Sequence, residues 1–150
     1  MFRRFCDTGG SGHYTRQGDW LTISCLMLTK LLKAKLHRAI VTETRLDYHG
    51  SITIDSDLLK ESGLLPNEGV LVADCENGNR FETYIIPGKA GTGVIGINGA
   101  AARLSDVGHH VIVMSFVHAT DEELPTHKSR VLILNDKNHV IDVIEHKTLP

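Results

Sequence analysis

The run Tyr48-His49-Gly50-Ser51 holds the most unusual chemical opportunity in the sequence. Taken alone, a Gly-Ser pair between a turn and a strand reads as a loop with a glycine bend. Gly50, however, has no Cβ and can hold conformations closed to other residues, which would bring the Ser51 hydroxyl onto the Gly50 carbonyl carbon. Attack there turns the amide into an ester. Elimination across Cα and Cβ of Ser51 then breaks the chain and leaves dehydroalanine, which hydrolyses to a pyruvoyl group at a new N-terminus. The result is an electrophilic ketone able to form a Schiff base, which none of the standard side chains offers.

Other residues could serve such a centre. Arg80 and Tyr84 are separated by an even number, so a regular strand points both to one face and Thr83 to the other. A guanidinium presents a planar pair of donors to a carboxylate, against the plain reading of a surface arginine beside a turn. Asn98-Gly99-Ala100-Ala101 reads as a cap followed by a helical start of small residues, where free N–H groups attract carboxylate oxygens. The adjacent His109 and His110 do not make a metal site by their spacing. Neighbours on a strand point oppositely, and a turn before Val111 explains them, with His109 at the surface. Gly91-x-Gly93 reads as a hairpin turn, because no P-loop lysine and hydroxyl follow it.

The elements that must position these residues are short and β-rich, which suggests a small barrel. Residues 32–37 alternate, with Lys33, Lys35 and His37 on one face and Leu32, Ala34 and Leu36 on the other. Residues 51–55 alternate similarly. A short helix follows, with Asp55 or Ser56 as N-cap, Leu58 and Leu59 inward and Gly63 as its stop. Strands at 70–74 and 81–86 flank Glu76-Asn77-Gly78-Asn79, where Asn-Gly favours a tight hairpin turn. Further strands fall at 94–97, 111–117, 131–134 and 140–144, the last two turning at Asp136-Lys137-Asn138. A weak internal repeat lays residues 52–72 beside 94–113: strand, acidic or amide turn, short helix, glycine, strand. A two-fold pseudosymmetric barrel predicts it.

The 150 residues, 41% hydrophobic and 23% charged, fit one globular domain with its own core. A formal net charge of -2 lacks the basic excess of a nucleic-acid binder. Cys6, Cys25 and Cys75 form neither a disulfide framework nor a metal spacing, which fits a reducing cytoplasm. The apolar stretch 20–32 follows Arg3, Arg4 and Arg16, but three lysines interrupt it or follow closely and it is too short to span a bilayer. Residues 1–29 therefore read as a disordered N-terminal extension, glycine-rich through residue 26, and 30–150 as the barrel domain. Met27 offers an alternative start.

Four blocks together carry a resemblance: Lys35-Leu36-His37-Arg38-Ala39, Tyr48-His49-Gly50-Ser51, Asn77-Gly78-Asn79-Arg80-Phe81-Glu82-Thr83-Tyr84 and Asn98-Gly99-Ala100-Ala101-Ala102. Their order and approximate spacing resemble those of bacterial pyruvoyl-dependent aspartate 1-decarboxylases, from about Lys33 to beyond Phe116. The resemblance implies a mainly β fold, a double-psi β-barrel with short helices. It further implies a homotetramer with active sites between subunits, and self-cleavage between Gly50 and Ser51. The implied activity removes the α-carboxylate of L-aspartate to give β-alanine and carbon dioxide for pantothenate biosynthesis. The implied cofactor is the pyruvoyl group made from Ser51, with no metal or PLP.

Roles follow from the same resemblance. Tyr84 is the proton donor, since a phenol stays protonated near neutrality and donates in place. Arg80 clamps a substrate carboxylate and Lys35 adds positive charge near it, with His37 in support. Gly99, Ala100 and Ala101 contact substrate, Asn98 orients the site, and Thr83 contributes to binding and self-processing. His109 departs from the acidic residue common in the family near that position. Two other readings stand beside this one. A noncatalytic double-psi barrel would serve as a binding or assembly module, and an autoprocessing serine hydrolase would use Ser51 with His37 or His49. The first must explain Gly50, Ser51, Arg80 and Tyr84 together, and the second lacks a nucleophile elbow and an acidic partner.

Overall fold

In the computed structural model, residues 12–16 and 19–23 are described as strand backbone and residues 27–149 in full. Strands β1 (Gly12–Arg16) and β2 (Asp19–Ile23) pair antiparallel with each other, apart from the main sheet. Neither strand is among the elements expected from the sequence. The expected disorder at 1–11, 17–18 and 24–26 lies outside the described residues.

The domain itself contains β3 (Thr29–Ile40), β4 (Glu43–Arg45), β5 (Ser51–Asp55), helix α1 (Ser56–Ser62), β6 (Gly69–Asp74) and β7 (Arg80–Gly88). After these come β8 (Ile95–Asn98), a 3-10 helix (Gly99–Arg103), β9 (His110–Ala119), β10 (Lys128–Leu134) and β11 (Val140–Lys147). Nine strands form one mixed sheet in the order β11-β10-β3-β9-β6-β7-β5-β8-β4. β3 and β4 are consecutive pieces of chain on opposite sides of the β9-to-β8 run, so the sheet closes on itself. At the bend between them Val41 N donates to His109 O at 2.9 Å, and Thr42 N to Ile95 O at 2.8 Å.

Two interlocked crossings define the barrel. β7 connects directly to β8, yet β5 lies between them, parallel to β7 and antiparallel to β8. β4 likewise connects to β5 with β8 between, parallel to β4. Each connection therefore passes over the end of an intervening strand, and the two together make the double-psi β-barrel. The repeat seen in the sequence has its counterpart here: β5–α1–β6 and β8–(3-10 helix)–β9 pair with each other, β5 with β8 and β6 with β9.

The alternating strands place Ile52, Ile54, Ile85, Ile95, Ile97, Val72, Val111 and Val113 fully inside. Each such side chain contributes roughly 1.5–3 kcal/mol on burial. Asp55 caps α1 by accepting from Asp57 N at 2.8 Å, Leu58 and Leu59 are buried, and Gly63 ends the helix in the left-handed region, as the sequence predicts.

Several expectations are corrected. The glycines of Gly91-x-Gly93 both have positive φ, but the turn is no hairpin. It is the β7–β8 crossing, and it is held by the Asp55 carboxylate, which accepts from Gly91 N and Gly93 N at 3.2 and 2.6 Å. Alternation in β3 holds from Ala34 to His37, with Ala34 and Leu36 buried, but irregularities between Leu32 and Ala34 and between Leu36 and Ala39 interrupt it on either side, with Arg38 at φ 62. The hairpin of β10 and β11 extends to Lys147, because its polar outer face gives no apolar signal beyond residue 144.

Candidate active site

Ser51 is the first residue of β5, directly after the β4–β5 crossing, and is fully buried. Its Cα partner across the ladder is Asn98, the last residue of β8. Opposed residues share a sheet face, and so do residues two apart on one strand. Ser51, Thr53 and Asn98 consequently converge: Asn98 Nδ2 donates to Ser51 Oγ at 2.9 Å and to Thr53 Oγ1 at 2.9 Å. The Ser51 hydroxyl donates to His49 O across a long 3.4 Å. The Asn98 amide is thus committed to the site, and Asn98 makes no side-chain cap on the 3-10 helix. This corrects the capping role expected for it.

The conformational demand placed on Gly50 by the sequence reading falls on Gly99. Gly50 does not occupy the left-handed region, and nothing lies within 4 Å of a Cβ built on it. Gly99 has φ +68, and a Cβ there would stand 2.7 Å from Gly50 Cα, 2.9 Å from Gly50 N and 2.9 Å from Tyr48 O. The backbone leading into the Gly50–Ser51 bond therefore rests on a glycine surface that no side chain could share.

Tyr84 precedes Ile85, the parallel partner of Ile52, so Tyr84 and Ser51 occupy matching positions on one face of neighbouring strands. Arg80, Glu82 and Tyr84 alternate as exposed positions along β7, and Thr83 takes the other face opposite Val70. Arg80 Nη1 donates to Gly78 O at 2.8 Å, tying the guanidinium to the β6–β7 turn. Lys35 and His37 stand on β3, beside β9 and β10. Burial first, then the charges of Lys35 and Arg38, lower the His37 pKa and favour its neutral form. Among the described residues, no hydrogen bond or ion pair links Lys35, His37, Arg80, Thr83 or Tyr84 to Ser51 within one chain. Ala100 is exposed and Ala101 half-buried behind Gly99. A depression of about 620 Å³ lies elsewhere, lined by Asp57, Lys60, Glu61, Gly63 and Arg130 beside α1.

Two features escaped the sequence reading. Thr53 joins Ser51 through Asn98, and its position two residues on in the same strand was the available signal. His109 was expected at the surface but is partly buried, with Nδ1 2.7 Å from Asp74 Oδ2. The hydrogen bond to Asp74 raises the His109 pKa. Asp74, Glu76 and His109 have ligand-type atoms within 4.8 Å of one another, an arrangement held by hydrogen bonds in which Glu76 also receives His110 N at 2.8 Å.

A family model described as aspartate decarboxylase matches residues 27–141, which runs from before β3 to the start of β11 and includes every residue of the Ser51 cluster. The chain belongs to the aspartate decarboxylase family. It is 47% identical over 121 residues to a protein of Staphylococcus aureus named aspartate 1-decarboxylase, covering 81% of this chain and 95% of that one. A Bacillus licheniformis protein of the same name is 50% identical over 118 residues, covering 79% and 93%. No helix among the described residues is long and apolar enough to cross a membrane.

Proposed function

We propose that this chain decarboxylates L-aspartate at Cα to β-alanine and carbon dioxide, using a pyruvoyl group that it makes by cleaving itself between Gly50 and Ser51. The observation that carries the reading is the buried Ser51 hydroxyl held by Asn98 beside the Gly50–Ser51 bond, in a chain of this family. The surroundings fit the group: the missing side chain at Gly99 lets the Gly50 backbone lie against it, and the Asn98 amide supplies a donor at the Ser51 side chain.

In self-cleavage, Ser51 Oγ bonds to the Gly50 carbonyl carbon, the peptide C–N bond breaks, and the hydroxyl proton passes to the freed amine. Loss of the Ser51 Cα proton with rupture of Cβ–Oγ releases Gly50 as a carboxylate. Water then replaces nitrogen and ammonia leaves. The pyruvoyl group supplies an electrophilic ketone for the substrate amine and a sink for the electron pair left by departing carbon dioxide. Arg80 holds a substrate carboxylate through its planar fork, and Lys35 adds positive charge, with His37 in support. Gly99, Ala100 and Ala101 offer close backbone approach, and Asn98 and Thr83 orient bound substrate and the scissile bond. Tyr84, on the Ser51 face of β7, delivers the proton to Cα.

Lys35 and Arg80, which no hydrogen bond links to Ser51 within one chain, fit a homotetramer with sites between subunits, where a neighbour supplies them. Cytoplasmic supply of β-alanine for pantothenate completes the reading. Intact mass spectrometry tests it. The full chain should yield a 50-residue piece ending at Gly50 and a 100-residue piece lighter, by one ammonia, than its serine-terminated form. Ser51→Ala should remain whole, folded and inactive. Aspartate turnover by Ser51→Ala without added cofactor would overturn the proposal.

A further inference from the structure

Thr53 has no role in the chemistry above, yet it is the second acceptor of the one amide that touches Ser51. The Asn98 Nδ2 group has two hydrogens, and both are used: one on Ser51 Oγ, one on Thr53 Oγ1, each at 2.9 Å. Asn98 is 1% exposed, so water offers little substitute for a lost partner. An amide held by one hydrogen bond is free to turn its oxygen toward Ser51. Because the Ser51 hydroxyl donates to His49 O, it meets Asn98 as an acceptor, and Thr53 Oγ1 takes the second Nδ2 hydrogen, so the nitrogen faces both hydroxyls.

The Thr53 side chain is itself fixed. It packs between two glycines: a Cβ on Gly88 would fall 3.1 Å from Thr53 Cγ2, and one on Gly96 would fall 3.3 Å from Thr53 Cβ. A β-branched side chain in a strand has restricted χ1, so seating the methyl against Gly88 sends the hydroxyl toward Asn98. We propose that Thr53 is a positioning residue for self-cleavage, acting through Asn98 to hold the Ser51 hydroxyl over the Gly50–Ser51 bond. The inference rests on the self-cleavage reading and extends it by one residue.

The test follows the conversion of freshly purified full-length chain into its two pieces by intact mass, with the melting temperature of each precursor measured in parallel. Thr53→Val keeps the branched shape and removes the hydroxyl; it should cleave roughly fivefold more slowly, the effect of one hydrogen bond. Thr53→Ala should be slowed similarly without any added methyl. Thr53→Ser keeps the hydroxyl, and should cleave near the parent rate even where the lost methyl lowers its melting temperature. Cleavage of both Thr53→Val and Thr53→Ala at the parent rate overturns the role of Thr53, as does equal slowing of Thr53→Ser and Thr53→Val, which would mark a packing effect. A parent chain that never cleaves overturns the self-cleavage reading and this inference together. Where the parent cleaves, the rates of the three variants decide the role of Thr53 alone.

Discussion

Replacing Gly99 by alanine separates two physical demands that meet at one backbone position. The left-handed conformation at φ +68 costs any L side chain about 1–2 kcal/mol. The added methyl must also displace Gly50 Cα from 2.7 Å and Gly50 N from 2.9 Å, both backbone atoms with no rotamer to yield. Overpacking of that kind costs about 1–3 kcal/mol. The combined destabilisation is about 2–5 kcal/mol, and for this chain length each kcal/mol lowers the melting temperature by about 2–4 °C, so a fall on the order of 10 °C is expected. Gly78→Ala is the matched control: φ is +75, but nothing lies within 4 Å of its Cβ, leaving the conformational cost alone. Melting is best compared at equal protein concentration in a Ser51→Ala background, where cleavage does not intervene. With Ser51 restored, Gly99→Ala should also cleave far more slowly, because the methyl moves Gly50 away from the hydroxyl. Equal melting and equal cleavage in Gly99→Ala and Gly78→Ala would refute the claim that Gly99 shapes the scissile bond.

Arg80→Lys keeps charge but loses the planar fork, so in fully processed protein the KM for aspartate should rise about tenfold with kcat less affected, and unchanged kinetics would remove Arg80 from the site. Tyr84→Phe should leave KM near the parent value and lower kcat by about 100-fold or more, measured as carbon dioxide release. The His109–Asp74 contact raises the His109 pKa, so its stabilisation is full below the unfolded histidine value of about 6.5 and is lost as pH rises through the folded one. Urea unfolding of His109→Gln should therefore show a larger deficit at pH 6 than at pH 9. A chain beginning at Met27, where the family match starts, should fold and cleave; failure to assemble would give the preceding residues a structural role.

Strand parity and turn chemistry made much of this protein legible from its residues. Alternation in residues 51–55 placed Ile52 and Ile54 inside, Asp55 and Gly63 bounded α1, and the even spacing of Arg80 and Tyr84 put them on one face of β7. Those features depend on neighbours a few residues apart, and local sequence encodes them. The family resemblance likewise rests on blocks that can be read in order along the chain. What local pattern does not contain is which strand lies between two others. Gly91-x-Gly93 has the composition of a hairpin turn, and only the insertion of β5 between β7 and β8 makes it a crossing tied to Asp55. Asn98 has the composition of a helix cap, and only the register that sets it opposite Ser51 turns its amide to the two hydroxyls. Gly50 and Gly99 are 49 positions apart, and local sequence pointed to the conformational freedom of Gly50, beside the scissile bond. Long-range pairing of β5 with β8 decided that Gly99, by leaving out a side chain, makes the space in which Gly50 lies.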